Sequence, residues 1–229
     1  MGNVELGMLF EPVLADLGVF KYFIDSNLAG KGVILILVVM NCVAVSLMWN
    51  KFSDLRKISA ANSRDEKRIN ELPSMADYAD ENFPGAGSPY LQICSRAMVA
   101  ARTGAVDGKV RMNYVENAIG RAISEFQDRY EDKMYWLATI VSGAPFLGLL
   151  GTVWGVMDAF GTMDSGGATI EHLAPGVSGA LLTTVAALSV AIPIVFIYNY
   201  LSGRTRAEMT KLEIFASNLA DRIELECTS

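Results

Sequence analysis

The 229 residues would suffice for one ordinary domain, but 52% of them are hydrophobic and the mean hydropathy is +0.30, more apolar than a soluble core of that size needs. The formal net charge of −6 comes from charges of both signs with no basic stripe, which excludes nucleic acid as an expected partner. The apolar excess is gathered in three runs, Gly32–Trp49, Trp136–Phe160 and Leu173–Tyr200, each about as long as the roughly 20 residues a helix needs to cross a bilayer. The expected fold is therefore an all-α integral membrane protein with three spans, embedded in membrane lipid.

In chain order, residues 1–31 hold Leu6, Leu9, Phe10, Leu14, Leu17 and Phe20 at helical spacing but are broken by Glu11, Pro12, Asp16 and Lys21. Such a stretch fits an amphipathic helix on a membrane surface, or one that contacts a partner, better than a span. The first span, 32–50, is read as retained, because the residues before it are not basic and no small-x-small cleavage site follows Ser46, Leu47 and Met48. It ends at Trp49, with Lys51, Arg56 and Lys57 as anchors.

Residues 51–133 are polar and helical, with a loop at Asn82–Pro89. There Ser88 is placed to cap a helix that starts at Pro89 and closes at Gly104. Val115, Ile119, Ala122, Phe126 and Tyr130 then recur at steps of three and four, without a stop signal, into the second span, 134–160. One helix from about Val110 to Phe160 is expected. A short loop, 161–172, leads to the third span, 173–200, and the tail 201–229 keeps helical spacing through Leu212, Phe215, Leu219 and Ile223. Of the 19 lysines and arginines, only Lys21 and Lys31 precede the first span and none lies in 161–172. The positive-inside rule thus puts the N-terminus and that loop outside, and the long loop and the C-terminus in the cytoplasm.

Chemistry is sparse. Cys42, Cys94 and Cys227 form no metal-type spacing, His172 is the only histidine, and no HExxH, GxSxG, Walker or GxGxxG motif is present. Neither an enzyme nor a cofactor is expected. The second span carries Pro145, Gly148, Thr152, Gly155 and Ala159 on one face, with Gly151 and Gly155 forming a GxxxG. The third carries Gly176, Ala180, Thr184, Ala187 and Ala191 opposite a bulky face of Leu181, Val185, Leu188, Ile192 and Val195. Small faces let helices pack closely in lipid, and Pro145 and Pro193 free carbonyls that only protein or water can satisfy. Thr152, Thr183 and Thr184 offer hydroxyls that can line a water chain or meet a carboxylate, or simply bond back to the helix. No span has an ionisable residue near its middle, so if protons move here another chain must supply the carboxylate.

The stretches SGAPFLGLLGTVWGVMDAF and APGVSGALLTTVAALSVAIPIVFIYN closely resemble the second and third spans of the TolQ/ExbB family, relatives of the flagellar stator MotA. The strong match runs over about Tyr130–Arg206. The resemblance implies an inner-membrane proton channel: a pentamer around a dimer of a TolR-like or ExbD-like single-span partner whose helix carries the aspartate. Proton flow there drives a TolA-like or TonB-like protein across the periplasm, in Tol-Pal or TonB systems. It also implies that Thr152 and Thr184 line the ion path. Gly179 departs from the pattern, since the family commonly has a glutamate at that point. A non-conducting membrane scaffold is the rival reading of the same small-residue faces.

Overall fold

A computed structural model describes residues 28–75, 78, 87–102, 108–161 and 170–228, with backbone only for 170–172, 227 and 228. Most of the expected N-terminal segment, the core of the 161–172 loop, Gly104 and the side chains of His172 and Cys227 lie outside the described residues. The chain is all-α, with three stretches long and apolar enough to cross a membrane. In order the helices are α1 (Leu28–Glu71), α2 (Pro89–Arg102), α3 (Gly108–Glu131), α4 (Met134–Gly161) and α5 (Ile170–Thr228).

These helices divide between two compact units. One holds the described parts of 1–47 and 136–198, and the other those of 48–135 and 199–229. In the first, the apolar unit, Val33 and Leu37 from α1, Ala144 from α4 and Ala187 and Ala191 from α5 form the buried core. The large apolar residues of the same helices, among them Phe146, Trp154, Leu181 and Phe196, are exposed on its outside, as expected of helices whose solvent is lipid.

The second, polar unit buries larger side chains. Phe126, Leu212, Met75 and Val115 are almost fully enclosed, and the Tyr90 and Phe215 rings stack with centroids 4.0 Å apart. The predicted α3 stripe Val115, Ile119, Ala122, Phe126, Tyr130 and the α5 stripe Leu212, Phe215, Leu219, Ile223 are all buried. Ser88 caps α2 as expected, its hydroxyl accepting the Leu91 N–H at 3.4 Å. Behind it, Asp65 is buried beneath the cap and accepts the Ser88 N–H. Burial opposes ionisation of Asp65, but the bonds from Ser88 and Arg64 outweigh it and hold its carboxyl below the usual value.

Two features of this unit are not written in the periodicity. The helix expected from Val110 to Phe160 is interrupted: α3 stops at Glu131, α4 starts at Met134, and Lys133 adopts a left-handed φ of 68°. A non-glycine residue there is uncommon. It is held by a salt bridge from Lys133 to Asp54 at 3.2 Å and by Lys51, whose buried ammonium donates to the carbonyls of Tyr130 and, at 3.1 Å, Asp132. Lys51 thus supplies donors that a continuing helix would have supplied. Burial lowers the Lys51 pKa, and the nearby Asp132 charge partly restores it.

The other feature is the end of α1. There Arg222 donates to the carbonyls of Ile69 and Leu72, while Glu226 accepts the Ser74 hydroxyl at 2.7 Å and the Met75 N–H at 2.8 Å.

Candidate ion-path site

The apolar unit is assembled on its smallest residues. On α4, Ala144, Gly148, Gly151 and Gly155 are buried at steps of four, three and four. On α5, Ala180, Thr183, Ala187, Ala191 and Ile194 are buried at steps of three and four. The two rows meet at backbone distance. A methyl group built on Gly148 would lie 2.5 Å from the Ala187 Cβ, and one on Gly155 would lie 2.6 Å from the Ala180 Cβ. One on Gly151 would run into the Thr183 hydroxyl. Only glycine allows this approach, and at these three positions any side chain forces the helices apart.

The seam differs by one position from the faces read off the sequence. Gly151, rather than Thr152, faces α5, and Thr183, rather than Thr184, fills the space opposite it. Adjacent residues on a helix are both near a packing seam, and on α4 the closest approach goes to the smaller of the two, glycine rather than threonine. Gly176 meets Ala159 more loosely, at 3.1 Å. Pro145 is half-buried and Pro193 exposed, so neither is packed against this chain's own helices to the same extent as the glycines.

The three hydroxyls fall into different settings. Thr183 is fully buried and shares its proton between the carbonyls of Ala180, at 2.7 Å, and Gly148, at 3.1 Å. Thr184 is half-buried and donates to the same Gly148 carbonyl at 3.0 Å. Gly148 therefore accepts from two threonines of α5, which ties the two helices across the seam. Thr152, also half-buried, donates back to Leu149 within α4 at 2.8 Å. With every hydroxyl proton spent on backbone carbonyls, what Thr152 and Thr184 can offer a third helix is oxygen lone pairs. Lone pairs receive a hydrogen bond from a protonated carboxyl; a carboxylate anion would need the hydroxyls to turn away from the backbone first.

Among the described residues of the three spans, the only acidic side chain is Asp158, three residues from the end of α4. No group of three or more metal-ligating side chains exists among the described residues. Gly179 is buried on α5.

A sequence-family model described as the MotA/TolQ/ExbB proton channel family matches residues 91–214, more than half of the chain and all of the seam. The chain belongs to that family. Its similarity extends to a biopolymer transport protein ExbB of Xanthomonas campestris pv. campestris, 32% identical over 192 residues covering 78% of this chain and 76% of the relative. A Tol-Pal system protein TolQ of Pseudomonas aeruginosa is 38% identical over 112 residues, 48% of each chain. An ExbB of Neisseria gonorrhoeae is 28% identical over 200 residues, 84% of this chain and 90% of the relative. By name these relatives are biopolymer transport and Tol-Pal system proteins, and with three helices long and apolar enough to cross a membrane this family member is a membrane protein.

Sequence reasoning missed the Lys51 cap and the Gly151–Thr183 pairing. The first had a signal, a lysine at the core position four residues before Leu55 on the buried stripe of α1. The second had none, because which of two adjacent threonines enters a seam depends on the facing helix.

Proposed function

We propose that the chain is a subunit of an inner-membrane proton channel that uses the proton motive force. In this reading a TolR/ExbD-like single-span partner supplies the aspartate, and the assembly energises a TolA/TonB-like protein that spans the periplasm. The subunits form a homo-oligomer, a pentamer by resemblance. Residues 1–31 and 161–172 face the periplasm, while 51–133 and 201–229 lie in the cytoplasm, an orientation supported by the distribution of lysine and arginine.

The observation that carries this reading is the setting of Thr152 and Thr184. Both stand half-exposed beside the sealed Gly148–Thr183 contact, in a unit whose described spans hold no acid away from a helix end. The proton-binding group must then come from another chain, and two oxygen acceptors wait for its protonated form. A neutral aspartic acid from the partner donates to them on the low-dielectric surface. On losing its proton the carboxylate finds no donor there until a threonine hydroxyl leaves its carbonyl, which favours movement of the charged form out of the contact. Thr183, committed to Gly148 and Ala180, serves packing rather than the path.

A scaffold with no conduction is favoured by one observation, that all three hydroxyls are already satisfied within the chain. The double substitution Thr152→Val and Thr184→Val separates the two readings, since valine keeps the shape and removes the lone pairs. The channel reading expects assembly with the partner to survive and proton-driven function to fall by at least about tenfold, the worth of roughly 1.4 kcal/mol. Undiminished function in an assembled double variant would overturn the role given to the threonines.

A further inference from the structure

Within the polar unit, α1, α2 and α3 line a cleft of about 590 Å³, a size suited to a small molecule. Its charged wall is cationic throughout: Lys57 and Arg64 come from α1 and Arg129 from α3, with no carboxylate among the lining residues. Arg64 commits its Nε to Asp65 at 3.1 Å, and Arg129 one terminal nitrogen to Glu125 at 3.1 Å. Each guanidinium has five N–H donors, so both retain donors for a ligand. Lys57 is exposed and has no ion-pair or hydrogen-bond partner among the described residues.

The remainder of the wall is amphipathic. Phe126, Ile58 and Pro89 supply an apolar side. The Tyr130 hydroxyl, which accepts from Asn62 at 3.4 Å, keeps its own proton to donate. A neighbouring cleft of about 270 Å³ shares Lys57 and Arg129 and adds Lys51 and Lys133, but there Asp54 and Asp132 stand beside the cations. The larger cleft is the one whose cations lack acids of their own in the wall. Arranged around one space, two arginines and a lysine match the several oxygens and the planar bidentate geometry of a phosphate group.

We propose that this cleft binds a phosphate ester, its phosphate held by Lys57, Arg64 and Arg129 and its apolar part against Phe126 and Ile58. The ester comes from one of two sources with the same chemistry, an anionic phospholipid or a soluble phosphate ester. The inference goes beyond the channel reading and does not depend on it.

The test uses the full chain reconstituted in phosphatidylcholine nanodiscs. In one arm glycerol 3-phosphate is titrated and followed by phosphorus NMR line broadening. In the other, phosphatidylglycerol is included during reconstitution and retained lipid is read by native mass spectrometry. At least one probe binds the wild-type chain and identifies the source. Lys57→Gln weakens that binding about tenfold, Lys57→Gln with Arg129→Gln abolishes it, and Lys57→Arg retains it. Lys57→Gln removes no internal pairing, so its melting temperature stays that of the wild type while binding falls. Failure of both probes to bind the wild type, or equal binding by wild type and the glutamine variants, overturns the proposal.

Discussion

The α4–α5 seam of the apolar unit and the core of the polar unit solve the same packing problem with opposite size distributions. On the α4–α5 seam of the apolar unit the residues inside are smaller than those outside: Ala144, Gly148, Gly151 and Ala187 are enclosed while Phe146, Trp154 and Phe196 are exposed. In the polar unit Phe126, Met75 and Leu212 are enclosed and the outside carries charged networks such as that of Arg96, Glu125 and Arg129. Water drives large apolar groups inward, so the second arrangement follows from the hydrophobic effect. Lipid exerts no such drive between helices, and what remains is close van der Waals contact and interhelical hydrogen bonding, both of which need small residues at the seam. The stripe on α1 passes through both regimes at one spacing. Val33, Leu37, Ala44 and Met48 are followed by Lys51, Leu55, Asn62, Asp65 and Ile69, all buried.

The comparison breaks if substitutions do not respond in opposite ways. The largest effect is expected from removing volume in the polar unit: Phe126→Ala leaves a cavity and lowers stability by about 3–5 kcal/mol, read by chemical denaturation of the detergent-solubilised protein. Adding volume in the apolar unit comes next. Gly151→Leu drives a side chain into Thr183 and costs about 1–3 kcal/mol, read as a lowered melting temperature of the detergent-solubilised protein. If Gly151→Leu melted like the wild type, the seam would not be held by close approach.

A smaller effect sharpens the role of interhelical bonds in lipid. Thr183→Val keeps the volume and deletes one hydroxyl, while Thr184 still donates to Gly148. The loss should be only about 0.6 kcal/mol, the average for such bonds.

The mildest test is pH. Burial raises the pKa of Glu226, but the bonds from Ser74, Met75 and Arg222 more than offset this and leave it below the ordinary value. A carboxyl depressed on folding contributes stability that is fully present above its unfolded pKa of about 4.3 and is lost as pH falls through the folded value. Acidification from pH 5 to about pH 3 should lower the melting temperature of the wild type more than that of Glu226→Gln.

Much of this was legible in the residues. The three apolar runs, the Ser88–Pro89 start of α2 and the stripes ending at Tyr130 and Ile223 follow from length, capping and period, which are local properties. The α4–α5 faces were legible to within one residue, because the small residues recur at steps of three and four and so mark a sector of the helix rather than a single line. The break at Lys133 was not, since no glycine, proline or asparagine marks it. Its stabilising groups, Lys51 and Asp54, lie about 80 residues away in the chain and come close only in the folded unit.

The sequence by itself therefore determined the class of molecule, its apolar and polar portions and the two helices that carry the hydroxyls, because solvent preference and helical period are read residue by residue. Only the tertiary structure decided that Gly151 takes Thr183 and leaves Thr152 and Thr184 half-exposed, with their protons on backbone carbonyls. Which neighbour enters a seam is set by the sizes on the facing helix, and where a hydroxyl proton points is set by the nearest unsatisfied carbonyl.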